Sequence, residues 1–427
     1  MRGHQPAAAR GDPNALIVAE PRSVADSRSV AAWLSAAEAV DYPAGVMPRA
    51  AARLTGLGTS VFTEMTALAV RTGAINLGQG FPDTDGPVVA IEAGVAALRG
   101  GENQYAPLPG VPVLREAVQD HQRQHYGLEP EDVLITFGAT EAIAAAVLAL
   151  CDPGDEVVVL EPYYDSYSAC IAFAGATRRP VTLHPPDFTL RAEALQTAIE
   201  GGRRRVRMML INTPHNPTGR VLSAGELELV AAACIEHDLV CVTDEVYEHL
   251  VFDGEHVPLA TLPGMAQRTL TISSVGKSFS FTGWKIGWCS GPAELVAATR
   301  TVKQFLTFAG GTPLQHAAAA ALGLPGSEVR ARRDDLRAKR DQLCAGLTAA
   351  GLKPLVPAGT YFVNADVGTD AVEFCRTLPE RCGVVAIPTS VFYDDKVAAG
   401  TLVRFAFCKR AEVIAEAARR LATLAAP

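Results

Sequence analysis

The chain has 427 residues, enough for one large and one smaller domain, and 48% of them are hydrophobic. Its net charge of −8 argues against a dedicated nucleic-acid surface, and no apolar run approaches the length of a transmembrane helix. The nine cysteines form no CxxC pair and no regular framework, so we expect reduced thiols and a cytoplasmic protein.

The N-terminal part of the chain has two sections of different character. Residues 1–46 are rich in Ala, Arg and Pro and show little apolar periodicity, so we expect a flexible extension. The alternative is that the biological chain begins at Met47 and that the extension is an artefact. A helix is predicted from Leu57 to Val70. The glycines and proline of Ile75–Asp83 then predict irregular backbone that approaches another group closely.

Strands and helices alternate from about Asp132 to Gly291. An apolar strand at Asp132–Thr136 precedes a helix that opens at Gly138, and further strand-like runs follow at similar intervals. This alternation predicts an α/β fold with a mostly parallel sheet and helices on both faces. In such sheets the ligand-binding residues lie at the carboxyl ends of the strands.

Two of these strand ends carry candidate site residues. Gly138 forms a strand-to-helix turn, whose free N–H groups suit a phosphate, and Thr140 adds a hydroxyl. Asp244 directly follows the apolar run Leu239–Thr243, the place where open α/β sheets keep ligand-binding residues. An aspartate in that position is also a common helix N-cap, so both roles stay open for Asp244.

The stretch Ser273–Trp288 contains the most informative lysine of the chain. Ser274 and Gly276 are small residues beside Lys277, and Lys285 adds a second positive charge. Most lysines are solvated surface charges. A lysine kept neutral by burial or by a neighbouring positive charge is instead a nucleophile toward carbonyl compounds. We therefore interpret Lys277 as a candidate catalytic residue.

The composition changes in the C-terminal part of the chain. A long charged helix over about 327–350 is followed by strands at Tyr361–Val363, Val384–Ile387 and Leu402–Phe407, which predicts a smaller α+β domain. Arg404 interrupts the last strand, where an unpaired buried charge would be costly. Either Arg404 pairs with an internal carboxylate, or its guanidinium binds an anionic ligand.

His121 and His125 lie four residues apart, on one face of a helix that starts near Pro112. This is the spacing of some zinc ligands, but no glutamate follows His121 and no third ligand is evident. We interpret both as surface histidines and predict no metal site.

Several of these motifs resemble those of the fold-type I, pyridoxal-phosphate-dependent class I/II aminotransferases, and they occur in the family's order. The resemblance extends from about Arg53 to the C-terminus, and its motifs are Gly138–Ile143, Pro162–Tyr167, Asn212–Gly219, Asp244–Leu250, Ser273–Trp288 and Val403–Phe405.

The resemblance implies the architecture and the assembly. Residues 47–95 would form an arm that joins the small domain and lines the mouth of the active site. Residues 96–320 would form the large cofactor-binding domain, with a mostly parallel seven-stranded sheet, and residues 321–427 the small domain. The family forms homodimers with shared active sites, so Tyr105 would reach the cofactor of the neighbouring subunit.

The resemblance also implies roles for individual residues. The catalytic residues would be Lys277, which binds the cofactor covalently, and Asp244 and Tyr247. The cofactor pyridoxal 5′-phosphate would be bound by Gly138, Ala139, Thr140, Tyr164, Asn216, Asp244, Tyr247, Ser274, Lys277, Lys285 and Tyr105. The substrate carboxylate would be bound by Gly80, Asn216 and Arg404.

The implied activity is transfer of an amino group between an amino acid and a 2-oxo acid. Overall likeness favours the actinobacterial N-succinyldiaminopimelate aminotransferases of lysine and diaminopimelate biosynthesis. The alternative is the branch of kynurenine, glutamine and methionine aminotransferases, some of which also cleave cysteine conjugates by β-elimination. A cofactor-sensing transcription regulator is a remote alternative, because such proteins carry an N-terminal winged helix that 46 residues cannot hold. We expect no nucleic-acid or membrane partner.

Overall fold

The structure is a computed structural model that describes residues 51–54 and 61–425. The predicted N-terminal extension, residues 1–46, lies outside the described residues. The helices are α1 (Val61–Thr72), α2 (Val88–Gly100), α3 (Pro112–Tyr126), α4 (Gly138–Leu150), α5 (Asp165–Phe173), α6 (Ala192–Glu200), α7 (Ala224–Glu236), α8 (Val275–Ser278), α9 (Ala293–Leu306), α10 (Thr312–Leu322), α11 (Gly326–Ala349), α12 (Ala371–Cys382) and α13 (Ala411–Ala422). None of the helices in these ranges is both long and apolar enough to cross a membrane.

The strands form three sheets. They are β1 (Ile75–Asn76), β2 (Asp132–Thr136), β3 (Glu156–Glu161), β4 (Thr177–Thr182), β5 (Val206–Asn212), β6 (Val240–Asp244), β7 (Thr269–Ser274), β8 (Gly287–Gly291), β9 (Lys353–Leu355), β10 (Phe362–Asp366), β11 (Val384–Val385), β12 (Ile387–Pro388) and β13 (Leu402–Ala406). The largest sheet has seven strands in the order β2-β8-β7-β6-β5-β3-β4, and only β8 runs antiparallel to its neighbours. The predicted mostly parallel α/β sheet is confirmed.

Helices cover both faces of this sheet because the buried strands are apolar on both sides. Val158 of β3 packs in the same cluster as residues of α6 and α7. Its neighbours Val157 and Val159 point the other way and pack with residues of α4, α5 and α9. Successive side chains of a strand alternate between the faces, so each face of the sheet needs its own layer of helices.

The C-terminal part contains a four-stranded antiparallel sheet in the order β12-β13-β10-β9. The single strand predicted over Val384–Ile387 is wrong, because the chain changes partners at Ala386. β11 pairs in parallel with β1 near the N-terminus, whereas β12 pairs with β13. The domain boundaries after residues 95 and 320 stay predictions.

The interpretation of His121 as a surface histidine is wrong. His121 is buried because it lies on the same side of α3 as the buried Leu114, Val118 and Gln122. His125 is exposed, as predicted. A third histidine, His249, comes from the segment after β6 and lies against both of them.

Candidate active site

A cavity of about 140 Å³ lies at the carboxyl ends of the central strands. Its position follows from the topology, because parallel strands bring the residues after them to one edge of the sheet. Three of the predicted site residues, Gly80, Tyr105 and Arg404, do not line it. The other predicted residues do, and they are Gly138, Ala139, Thr140, Tyr164, Asn216, Asp244, Tyr247, Ser274, Lys277 and Lys285.

Lys277 belongs to the one-turn helix α8, which begins directly after β7. Its Nζ lies 5.9 Å from the ring centroids of both Tyr247 and Tyr361. Burial lowers the pKa of this amine, and the positive charge of Lys285 acts in the same direction, whereas Asp244 opposes it. A lowered pKa raises the neutral fraction of the amine, which is the form that attacks a carbonyl carbon.

The turn at Gly138 forms the positive end of the cavity. Gly138 has a φ of 71° and opens α4, whose first N–H groups lack partners within the helix. A Cβ at Gly138 would lie 3.4 Å from Nζ of Lys285, so this ammonium group lies beside the turn. With Thr140 and Ser274 in the same lining, this end of the cavity suits a phosphate group.

Asp244 lies at the end of β6, where the register places it beside Asn212 of β5. Its Oδ2 accepts a hydrogen bond of 2.6 Å from the Tyr167 hydroxyl. Burial raises the pKa of Asp244, while the Tyr167 hydrogen bond and the charge of Lys277 lower it. The N-cap alternative is wrong, because the next helical turn after β6 begins only at Leu259. Asp244 is thus a buried carboxyl group facing the cavity, with no helix to cap.

Asn216 and Arg404 connect the cavity to the C-terminal sheet. Arg404 is 1% exposed, and its Nη1 donates to Oδ1 of Asn216 at 2.9 Å while Nη2 donates to the Gly78 carbonyl at 3.0 Å. Its guanidinium lies 4.0 Å from the ring centroid of Phe362. Burial lowers the pKa of Arg404 to about 10.

These contacts bear on the two roles left open for Arg404. Within residues 51–54 and 61–425 it forms no ion pair, and its Nε has no hydrogen-bond partner. A buried guanidinium that binds only neutral oxygens and aromatic rings keeps an uncompensated charge. No carboxylate among the described residues is therefore its partner, and binding of an anionic ligand stays a prediction.

Gly80 and Tyr105 lie apart from the cavity lining. A Cβ at Gly80 would lie 2.3 Å from the Phe362 ring, so only glycine fits there, and the Tyr361 hydroxyl donates to the Gly80 carbonyl at 2.5 Å. Tyr105 is 81% exposed and contacts Phe308 edge to face. One subunit alone does not bring Tyr105 to the cavity.

No role was predicted for Tyr167 and Tyr361. Tyr167 lies three residues after Tyr164, in the first turn of α5, and this helical spacing directs both rings to the same cavity. The spacing from Tyr164 could therefore have identified Tyr167 as a cavity residue from the sequence. Tyr361 directly precedes β10 of a different sheet, and only the folded chain brings its ring near Lys277 and Tyr247.

The comparison with known families agrees with this geometry. Residues 72–421 match the sequence model of the family aminotransferase class I and II. The chain therefore belongs to the class I and II aminotransferases, and its fold is that of the fold-type I aminotransferases.

Several individual members of this family are similar to the chain over most of its length. The chain is 52% identical over 391 residues to the probable N-succinyldiaminopimelate aminotransferase DapC of Mycobacterium tuberculosis, covering 87% of this chain and 98% of the relative. The solved structure of N-succinyldiaminopimelate aminotransferase from that organism superposes with a TM-score of 0.85 and covers 88% of this chain and 100% of the other. Methionine aminotransferase of Escherichia coli is 40% identical, covering 87% of this chain and 97% of the relative. Kynurenine–oxoglutarate transaminase 3 of Mus musculus is 37% identical, covering 84% and 87%.

Proposed function

We propose that this aminotransferase exchanges an amino group between N-succinyl-LL-2,6-diaminopimelate and 2-oxoglutarate, with pyridoxal 5′-phosphate bound at Lys277. The observation that supports the chemistry is the meeting of Lys277, Asp244 and a phosphate-binding turn at Gly138 in one cavity. The observation that supports the substrate is the 52% identity to the mycobacterial relative over nearly its whole length.

The polar and aromatic groups that line the cavity fit this cofactor. Its dianionic phosphate matches the Gly138 turn with Ala139, Thr140, Ser274 and Lys285. At the other end, the buried carboxyl group of Asp244 matches a protonated pyridine nitrogen, and Asn216 and Tyr247 match the phenolic oxygen. Tyr164 would pack against the ring. When bound, the cofactor supplies an electron sink for the negative charge left on the substrate's α-carbon.

The chain's own residues position the substrate and move its proton. Arg404 would bind the α-carboxylate together with Asn216, and Gly80 would add its backbone N–H. Nζ of Lys277 would accept the α-proton as a general base and later return a proton as an acid. The carboxyl group of Asp244 would keep its negative charge throughout, opposite the ring nitrogen.

We further propose a cytoplasmic homodimer in which Tyr105 completes the neighbouring subunit's phosphate site. Support comes from the contact between Tyr105 and Phe308, which are 81% and 42% exposed, because adjoining exposed apolar groups are typical of interaction surfaces. All nine cysteines are free thiols, which agrees with a reducing compartment.

A second candidate is a methionine, glutamine or kynurenine aminotransferase, which is favoured by the 40% and 37% identities to such relatives. All these substrates share the α-amino and α-carboxylate groups that Lys277 and Arg404 would engage. The two candidates therefore differ only in the side chain that the site accepts.

Steady-state kinetics with 2-oxoglutarate as acceptor distinguish the candidates. We expect kcat/KM for N-succinyl-LL-2,6-diaminopimelate to exceed that for kynurenine, methionine or glutamine by at least about 100-fold, since a site built to hydrogen-bond a polar group strongly rejects analogues that lack it. The Lys277→Ala protein, purified in parallel, measures contaminating aminotransferases. A larger kcat/KM for any of the other three amino acids would replace the proposed substrate with the second candidate.

A further inference from the structure

Three histidines form a cluster outside the active-site cavity. His121 and His125 lie on one face of α3, and His249 comes from the segment after β6. Their ring centroids lie 4.6, 4.9 and 5.0 Å apart, and one possible ligand atom from each lies within 4.8 Å of the others. Many metal sites with three protein ligands use two histidines at i and i+4 of a helix and a third ligand from another segment.

The contact between His121 and His249 already directs two ring nitrogens toward one point. Their Nε2 atoms lie 2.7 Å apart, so in neutral rings one must donate a proton to the other. Nδ1 of His121 is buried and has no hydrogen-bond partner among the described residues, so no contact there fixes the tautomer of its ring. A cation in place of the shared proton would bind both Nε2 atoms.

A buried carboxylate lies beside the cluster. Glu248 directly precedes His249 in the chain, and its Oε1 accepts a 2.6 Å hydrogen bond from the Ser273 hydroxyl. A carboxylate near three imidazoles makes the site electrostatically favourable for a cation.

We propose that His121, His125 and His249 bind one divalent metal ion of the zinc class. Three imidazoles suit Zn²⁺ and its close neighbours among the transition metals. The fourth position would face a cavity of about 330 Å³, which His125, His249 and His256 help to line. This position would hold water or a small ligand, as in sites with three protein ligands.

Binding requires a small rearrangement of the rings. Ligand nitrogens around tetrahedral zinc lie roughly 3.3 Å apart, given Zn–N distances of about 2.0–2.1 Å. Nε2 of His121 and His249 must therefore separate slightly from 2.7 Å, and His125 must move inward. His125 is exposed and lies near the end of α3, so its side chain is free to change rotamer.

The metal would connect two parts of the chain that are distant in sequence. His249 lies two residues after Tyr247, which lines the active-site cavity, while α3 lies more than 120 residues earlier. Coordination would therefore fasten the segment after β6 to α3. The consequence is a metal-dependent gain in stability, which is independent of the amino-acid substrate.

Metal binding to the holoenzyme tests the proposal directly. The protein is prepared without an affinity tag, freed of metal with a chelator, and titrated with Zn²⁺ and with Co²⁺, whose visible absorbance reports tetrahedral coordination. We expect one ion per chain and a rise in Tm on addition of Zn²⁺. We expect His125→Gln to weaken Zn²⁺ binding by more than about 100-fold, since loss even of an outer-shell partner costs 10–100-fold.

The matched control is His184→Gln, which removes an exposed histidine outside the cluster. This variant should bind Zn²⁺ and Co²⁺ as the unaltered protein does. His125 is exposed, so its replacement leaves the buried packing of α3 intact, and a normal Tm without metal verifies folding. Binding of less than one ion per chain, or equal binding by His125→Gln and the unaltered protein, would overturn the proposal.

Discussion

Replacement of Lys277 by alanine is expected to lower kcat by at least about 10⁴-fold, because a single side chain would supply both the nucleophile and the general base. The amine lies in α8 at the edge of the cavity, with the Tyr247 and Tyr361 rings each 5.9 Å away. Among the described residues, the cavity lining contains one further lysine, Lys285. Its ammonium group lies at the Gly138 turn and not beside the Tyr247 and Tyr361 rings. Turnover of N-succinyl-LL-2,6-diaminopimelate at saturating pyridoxal phosphate measures the effect.

The control for this variant is Lys353→Ala, which removes an exposed lysine outside the cavity and should leave kcat unchanged. Equal Tm values for the two variants would show that the loss is chemical and not a failure to fold. A Lys277→Ala protein that keeps more than a tenth of the activity would contradict the role given to this amine.

Replacement of Asp244 by asparagine is expected to lower kcat by about 10²–10³-fold, the usual cost of removing one preorganised electrostatic partner of the reacting group. Asparagine has nearly the same shape, and its one amide oxygen still accepts the hydrogen bond from Tyr167. The change therefore removes the negative charge and the weaker 3.3 Å hydrogen bond that Oδ1 accepts from the Val246 N–H. Without that charge, a ring nitrogen beside residue 244 is less readily protonated.

Tyr167→Phe is the matched comparison, because it removes the 2.6 Å hydrogen bond but keeps the carboxylate. Its expected effect is only about tenfold, from the loss of roughly 1–1.5 kcal/mol for one hydrogen bond. If the two variants lose kcat equally, the carboxylate charge is not the property that matters, and the role given to Asp244 fails.

The fold could be predicted in most of its elements because local patterns decide them. β2 spans the predicted residues and α4 begins at the predicted Gly138, since an apolar run and a glycine turn define these positions. Gly138, Thr140 and Asp244 followed from the topology, because a parallel sheet collects the carboxyl ends of its strands at one edge. The family resemblance implied most of the other site residues.

Other features depend on contacts between distant parts of the chain. The pairing of β11 with β1 joins residues 384–385 to 75–76, and no local pattern indicates that partner. The hydrogen bond from Arg404 to Asn216 spans 188 positions, and the contact between His121 and His249 spans 128. Polar side chains meet there because the elements pack, so only the folded chain identifies their partners.

Borohydride reduction of the holoenzyme, followed by peptide mass spectrometry, tests whether Lys277 is the residue that binds the cofactor. Reduction fixes the cofactor permanently to the amine that holds it, and the modified peptide identifies that amine. We expect a phosphopyridoxyl group on Lys277, about one per chain, and an unmodified Lys285. A modified Lys285, or a protein that retains no cofactor, would contradict the assignment of this cavity as the catalytic site.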